Sequence, residues 1–304
     1  MIMEKTELRY GENSHQSAYL EEGAISFTQL HGKELSYNNI VDMASAMNIV
    51  SEFIGVPAVA IVKHNNPCGA ALGSTICEAF TKALDCDPIS AFGGIIACNE
   101  PVDAATANVI KDVFTEVVIA FDFEPEALEI LRAKKNIRLI KVNSTLTEYR
   151  SAQKTDVKAT PFGMLVQDFD NIELNKDTFN VVTATKPTAE QIEDMIFAWK
   201  IAKHVKSNAI VVAKDFRTYG LGIGQTSRIK SMELALEQAC ENTKDAVIAS
   251  DGFFPAVDNI QAAAQARIAA IIQPGGSIKD ADVIAECNKY NIAMITTGIR
   301  HFKH

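Results

Sequence analysis

A lysine and a histidine stand side by side in the stretch Lys63-His64-Asn65-Asn66-Pro67-Cys68-Gly69. The pair combines a fixed cation with a base that titrates near neutral pH. The positive neighbour favours the neutral imidazole, the form a base requires. The stretch follows Val56 to Val62, an apolar run that reads as a buried strand. Ligands of open α/β sheets bind beyond the carboxyl ends of strands. Polar and turn-forming residues at such an end are costly to bury without partners. Spacing alone equally fits a strand-terminal turn whose histidine hydrogen-bonds a carbonyl.

Five further stretches carry polar chemistry, each with a plainer alternative. Arg9 and Tyr10, in LRYGENSHQ, could clamp a phosphate and stack on a ring, or lie on a solvated N-terminal segment. Lys206-Ser207-Asn208 is followed by Gly220 to Gly224 and by Gln225-Thr226-Ser227-Arg228. Those glycines allow close backbone approach, and Ser227 and Arg228 open a helix where amides attract anions. A tight turn with a helix cap fits as well. Ser250-Asp251-Gly252-Phe253-Phe254-Pro255, with Asp258 and Asn259, could hold a flat heterocycle or supply a core Phe-Phe pair. Gln273-Pro274-Gly275-Gly276-Ser277 suits a backbone nest for an anion or an ordinary strand-to-helix turn. The C-terminal Thr297-Gly298-Ile299-Arg300-His301-Phe302-Lys303-His304 ends a buried-looking strand, so it reads as a docked terminus although termini usually fray.

These stretches need a scaffold, and apolar periodicity supplies one. Short apolar runs at 94–98, 117–121 and 137–142 alternate with helical spacing at 75–84, 102–114 and 125–133. The middle, from about Asn143 to Lys186, is more polar and reads as a connection with edge strands. The rhythm then resumes. Thr188 with Gln191 forms a capping box for a helix over 188–205, and 208–213 with 219–224 reads as a hairpin. Helices over 227–242, 258–267 and 280–290 alternate with strands over 246–249, 268–272 and 292–296. The expectation is an α/β chain in two halves, 1–145 and 188–304, joined by 146–187. A polar motif near the first strand of each half, Lys63 to Pro67 and Lys206 to Asn208, hints at duplication.

Composition narrows the function. The 304 residues are 47% hydrophobic, enough for a core without disulfide or metal, and carry a net charge of −9. That charge argues against a nucleic-acid binder but leaves room for a small anionic substrate in an arginine-lined pocket. The six cysteines, Cys68, Cys77, Cys86, Cys98, Cys240 and Cys287, form no C-x-x-C pair and read as reduced thiols of a cytoplasmic protein. No apolar run approaches a membrane span. HExxH, paired CxxC and GxSxG motifs are missing.

Taken together, LRYGENSHQ, KHNNPCG, DPISAFGGIIA, KSNAIVVAK, GIGQTSR, SDGFFP, QPGGS and GIRHFKH, spread over residues 8–304, resemble the AICAR transformylase family. That family is the formyltransferase half of the bifunctional purine-synthesis enzyme that also carries IMP cyclohydrolase. The resemblance implies transfer of the formyl group of 10-formyltetrahydrofolate to the 5-amino group of AICAR, giving FAICAR and tetrahydrofolate. It implies two cytidine-deaminase-like α/β/α subdomains without the catalytic zinc, and a homodimer with active sites at the interface. No metal is expected in the chemistry, and a monovalent cation is left open. By matching position, His64 is the proton acceptor, Lys63 the transition-state stabiliser and Asn208 the orienting amide. Arg9, Tyr10, Asn39, Gly93, Glu116, Arg228 and Arg300 match the nucleotide side. Ile229, Phe253, Pro255, Asp258, Gly275 and Gly276 match the folate side.

The chain also departs from the family pattern. Ala256-Val257 replace the usual Phe-Arg before Asp258, which reduces one aromatic wall. The usual GIGAGQ is shortened to Gly222-Ile223-Gly224-Gln225, and Pro161-Phe162 replace a Gly-Gly. A cyclohydrolase domain has no counterpart before Arg9, so a separate protein is expected to supply that activity. Two rival readings are a diverged formyltransferase with another acceptor and a non-catalytic nucleotide- or folate-binding relative.

Overall fold

The computed structural model describes residues 5–176 and 179–304. A small hairpin, β1 (Lys5–Leu8) with β2 (Ala18–Glu21), leads in. The first half then runs β3 (Phe27–His31), α1 (Tyr37–Val50), β4 (Ala58–Lys63), β5 (Asn66–Leu72), α2 (Ile76–Leu84), β6 (Ile95–Cys98), α3 (Ala104–Ile110), β7 (Val117–Ala120), α4 (Pro125–Arg132) and β8 (Arg138–Val142). Next come α5 (Leu146–Ala152) and a hairpin of β9 (Thr155–Thr160) with β10 (Gly163–Asp168). The second half runs β11 (Asn180–Val181), α6 (Ala189–Ala202), β12 (Ile210–Lys214), β13 (Arg217–Gly222), α7 (Arg228–Ala239), β14 (Val247–Ser250), α8 (Asp258–Gln265), β15 (Ala270–Gln273), α9 (Asp280–Lys289) and β16 (Ala293–Thr296). The chain is α/β, as its periodicity indicated.

All but the two small hairpins join one mixed sheet of 12 strands, ordered β11-β16-β15-β14-β12-β13-β5-β4-β6-β7-β8-β3. Read outward from the centre, both sides repeat one scheme. A hairpin (β4–β5, β12–β13) is followed by an antiparallel neighbour (β6, β14), two parallel strands (β7 and β8, β15 and β16) and an antiparallel edge (β3, β11). The two sides meet where β5 pairs with β13 at Ala71 and Arg217. The buried Thr218 hydroxyl there bonds both the amide and the carbonyl of Ala70.

Side-chain alternation explains the layers. In β4, Ala58, Ala60 and Val62 face a core shared with α1 and α6, while Val59 and Ile61 face a second core under α2 and α3. In β12, Val211 and Ala213 join the shared core, and Ile210 and Val212 face a third core under α7, α8 and α9. A sheet covered on both faces carries continuous apolar runs. Those runs are what made the strands legible. Among the described residues, no helix is long and apolar enough to cross a membrane.

Several elements differ from the periodicity reading. α1 was not marked; its capping box uses Ser36 with Asn39, rather than the more familiar Glu or Gln. α3 is shorter than the spacing over 102–114 suggests, because Val102 bridges to Phe123 and Asp103 caps the helix. Lys206-Ser207-Asn208 lies before β12, so it is not the counterpart of Lys63 to Pro67. The true counterpart is Lys214-Asp215-Phe216-Arg217, between β12 and β13.

Buried ions clamp the ends of α1 and α6 together. Glu52 lies 2.6 Å from Lys203 Nζ, 3.0 Å from His204 Nε2 and 3.1 Å from Arg150 Nη1. Burial alone would raise the Glu52 carboxyl, but His204 and Lys203 outweigh it and hold it well below the usual carboxylate range. Burial pulls the His204 imidazole down to about 4, against the pull of Glu52. Close helix packing rests on glycines, Gly69 against α2 and Gly220 and Gly222 against α7. A Cβ on Gly69 would stand 2.0 Å from the Ala83 carbonyl of α2, and one on Gly220 would stand 1.9 Å from the Ala235 carbonyl of α7.

Gly220→Ala forces α7 off the sheet and costs about 1–3 kcal/mol, read from the urea midpoint. The native state binds fewer protons at Glu52 and His204 than the unfolded chain does. The His204 contribution is full above the unfolded value of 6.5 and is lost as pH falls toward 4, whereas the Glu52 contribution is lost only below the ordinary carboxylate value of 4.5. Thermal midpoints measured across that window should decline. Glu52→Ala, which leaves Lys203 buried and unpaired, should cost about 3–5 kcal/mol at neutral pH.

Candidate functional site

The Lys63-to-Asn66 stretch is a two-residue hairpin turn. Lys63 pairs with Asn66, and His64 and Asn65 sit at φ 52° and 63°. Both central residues in the left-handed region is what a type I′ turn needs, normally at some cost without glycine. Asp42, on α1, offsets that cost by accepting from the amides of both, Asn65 at 2.6 Å and His64 at 3.3 Å. Burial holds the Asp42 carboxyl above its ordinary value; the two amides oppose this, and the Glu116 charge adds to it.

The turn leaves its side chains available. The His64 imidazole is exposed, with no hydrogen bond of its own among the described residues. Lys63 Nζ donates to the Phe92 carbonyl at 2.8 Å, which leaves two ammonium protons uncommitted. Phe92 precedes Gly93, whose φ of 76° favours glycine and whose amide is held by the Phe114 carbonyl. Cys68 is buried behind the turn, and burial pushes its thiol up to about 12, so it stays protonated at neutral pH.

Four of the residues expected on the nucleotide side, Arg9, Tyr10, Asn39 and Glu116, gather around Arg138. Asn39, at the start of α1, donates to Glu116 at 2.9 Å, and Arg138 of β8 stands 3.7 Å from the same Glu116 oxygen. Burial pulls the Arg138 guanidinium below its ordinary value; Glu116 opposes this, and the nearby Arg9 charge adds to it. Arg9 donates to the Tyr10 hydroxyl at 2.8 Å and lies over its ring. Asn38 ties the β1–β2 loop down by donating to the Glu12 carbonyl. Sequence reasoning missed Arg138 because it sits in an ordinary apolar strand, and its partners are remote in sequence.

The second half builds another cluster before β12. Asn208 donates Nδ2 to the Gln225 carbonyl at 2.8 Å and accepts from Arg228 Nη2 at 2.7 Å. Arg228, the first residue of α7, is buried and paired at 2.5 Å with the equally buried Asp251. Its charge is therefore already partnered, and the helix start is not a vacant anion site. Asp251 also accepts from the Ser207 hydroxyl at 2.5 Å. Arg300 is exposed and lies over the Phe302 ring, and His301 donates its amide to the Asp251 carbonyl. Asp251, Ser207 and Lys303 fall inside three of the stretches marked in the sequence, but their mutual contacts are not visible there because the partners are remote.

Asn66 links the Lys63-His64 turn to the second cluster. Asn66 donates to the His64 carbonyl at 3.0 Å and accepts from the Lys206 amide at 3.2 Å. The Lys63-His64 turn thus abuts the Lys206-Ser207-Asn208 segment. Arg9 and Arg300 remain in separate clusters of this chain.

The residues expected on the folate side are spread along the second half. Phe253 is exposed while Phe254 is fully buried, so the pair divides between surface and core. Ile229 follows Arg228 on α7, and Pro255 and Asp258 are exposed at the approach to α8. The amides of Gly275 and Gly276 are already bonded to the side chains of Gln273 and Asp280. That segment is a side-chain-braced turn rather than an open anion nest. Among the described residues, no three His, Cys, Asp or Glu side chains gather as a metal site would require.

A profile of the AICARFT/IMPCHase bienzyme family matches residues 1–238. The bifunctional purine biosynthesis protein PurH of Oceanobacillus iheyensis is 51% identical over 305 residues, covering 98% of this chain. The proteins of that name from Anoxybacillus flavithermus and Caldicellulosiruptor saccharolyticus are 50% and 51% identical, covering 100% and 98% of the chain. The chain spans 59–60% of the length of these relatives.

The turn should depend on Asp42. Asp42→Ala removes the acceptor of two amides and should cost about 1–3 kcal/mol in the denaturant midpoint. Asp42→Asn keeps one acceptor oxygen and should lose less.

Proposed function

The chain belongs to the AICARFT/IMPCHase bienzyme family, and from that premise we propose that it carries the formyltransferase chemistry. In this reading it moves the formyl group of 10-formyltetrahydrofolate to the 5-amino group of AICAR, releasing FAICAR and tetrahydrofolate. The observation that carries the reading is the Asp42-held turn, which leaves the His64 imidazole exposed beside a lysine with spare protons.

The AICAR amine is a weak nucleophile because its lone pair is delocalised into the ring. As the nitrogen attacks the formyl carbon, His64 takes the amine proton. The carbonyl oxygen becomes an alkoxide, which the Lys63 ammonium and the second Nδ2 proton of Asn208 stabilise. Collapse breaks the bond from carbon to the folate nitrogen, and the imidazolium returns the proton to that leaving nitrogen. Arg9 and Arg300 suit the 5′-phosphate. Arg138 and Glu116 beside Arg9 add a charged wall that fits a nucleotide.

Arg9 and Arg300 lie in different clusters of one chain, which supports a homodimer that assembles each site from two copies. So does the β9–β10 hairpin, where Val157, Met164 and Val166 share one face and are each at least half exposed. Contiguous apolar surface of that kind marks an interaction site.

The test is to incubate the protein with AICAR and 10-formyltetrahydrofolate and to follow tetrahydrofolate. The wild type should turn over. His64→Ala should lose at least about 10²-fold in kcat while still binding AICAR by calorimetry. Near-normal turnover in that variant sinks the base assignment. AICAR binding without product in the wild type favours a binding relative, and conversion of FAICAR to IMP without formyl transfer assigns the other activity.

A further inference from the structure

The last residues of the chain do not fray. His301 packs edge-on against Trp199, with ring centroids 4.2 Å apart, and its Nδ1 lies 2.5 Å from Asp170. Lys303 then pairs with Ser207 through its backbone: the Lys303 amide donates to Ser207 Oγ at 3.0 Å, and the Ser207 amide donates to the Lys303 carbonyl at 2.9 Å. Its side chain turns inward, and Nζ donates to the His204 carbonyl at 3.1 Å. One residue therefore holds both ends of the segment 204–207. From Ser207 the contacts run on to Asp251, from Asp251 to Arg228, and from Arg228 to Asn208, each step a hydrogen bond of 2.5–2.7 Å.

Resting on the formyl-transfer reading of this site, we propose that Lys303 is a positioning residue whose ammonium holds the 204–207 segment in register, and through Ser207 and Asp251 sets Arg228 and Asn208. The ammonium acts through the His204 carbonyl and the segment that follows it, while the Lys303 backbone holds Ser207. A partly buried lysine loses hydration of its ammonium unless the charge is used, and here the charge bonds a carbonyl that immediately precedes the orienting segment.

Several charged groups face this ammonium. Burial pulls Lys303 down to about 8, the Lys206 charge adds to that, and Asp156 of β9 opposes it. His204, whose carbonyl it bonds, is itself held at about 4, with the Lys303 charge contributing. Lys203 is paired with Glu52, His301 with Asp170, and Arg228 with Asp251. Lys303 is therefore charged below about 8 and neutral above it. The two consequences have opposite signs. A lysine whose folded value is depressed makes the fold more stable as pH rises from about 8 to its ordinary 10.5. Positioning by the ammonium weakens over the same rise. A merely structural lysine would not separate the two.

The experiment uses the full chain with Lys303→Met and Lys303→Arg, each checked for folding by circular dichroism. Amide exchange of the peptide covering 203–209 should rise in the Met variant and stay near wild type in the Arg variant. Formyl-transfer kcat/KM should fall about tenfold or more in Met, the loss of a charged hydrogen bond, and recover in Arg. The wild-type rate should decline above about pH 8, and Lys303→Arg, which stays charged, should lack that limb. Over the same pH range, wild-type stability relative to Lys303→Met should increase. Unchanged exchange and unchanged kcat/KM in Lys303→Met overturn the proposal while leaving the formyltransferase reading intact. Equal loosening in Met and Arg removes the role of the charge and also overturns it. If the wild type transfers no formyl group, the reading of the site fails, and the exchange data alone decide whether Lys303 positions the segment.

Discussion

The second half is organised around one carboxylate that water cannot reach. Asp251 is 1% exposed, and a buried charge must be paired and hydrogen-bonded or it destabilises the fold by several kcal/mol. Its two oxygens take Arg228 and Ser207, and its backbone takes His301 and Ala209. Those partners fix the surrounding geometry. Arg228, once drawn to Asp251, has a second nitrogen directed at Asn208, while Ser207 accepts the C-terminal strap through its hydroxyl. Gly252 must be glycine for the same reason: a Cβ there would stand 2.5 Å from Arg228 Nη2 and 2.6 Å from the Phe302 ring. The polar groups proposed for chemistry are thus held by an electrostatic requirement that precedes any ligand.

What the sequence revealed follows from the range of each interaction. Thr188 and Gln191 cap α6 as a local motif would, and the apolar runs became strands because both sheet faces are covered. The Lys63-His64 pair was located correctly at a strand end. Its turn type was not legible, because His-Asn lacks the glycine that usually announces a type I′ turn. The compensating residue, Asp42, lies on a helix more than 20 positions upstream. Arg138 and the Glu52 cluster were hidden in the same way: each is an ordinary residue in its own neighbourhood and acquires meaning only from remote partners, and Asp251, though inside a marked stretch, gave no sign of its pairing with Arg228. The resemblance to a known family supplied positions such as Asn39 and Glu116 that neither spacing nor residue type singled out.

The duplicated scheme of the sheet extends to the device that holds the turn. In the second half, Asp215 and Phe216 adopt φ 52° and 56° between β12 and β13, and both amides donate to Asp194 of α6, at 3.0 and 2.9 Å. Asp194 stands to α6 as Asp42 stands to α1, and burial raises its carboxyl too. Register shifts fall two residues before each turn, at Ile61/Val62 and Val212/Ala213, and a lysine opens each, Lys63 and Lys214. The backbone device is therefore the same at both ends of the central strands. The difference lies in the side chains and in what faces them. Beside His64, Gly224 bonds the Lys206 carbonyl, and the neighbouring segment carries Ser207 and Asn208. Beside Phe216, the equivalent bond runs from Gly73 to Pro57, preceded by Val56 and Gly55, which offer no donor or base. Strain at the turn is common to the two halves, so it does not by itself mark function. What singles out the first turn is an exposed imidazole and a lysine set against a polar segment that the buried Asp251 keeps in order.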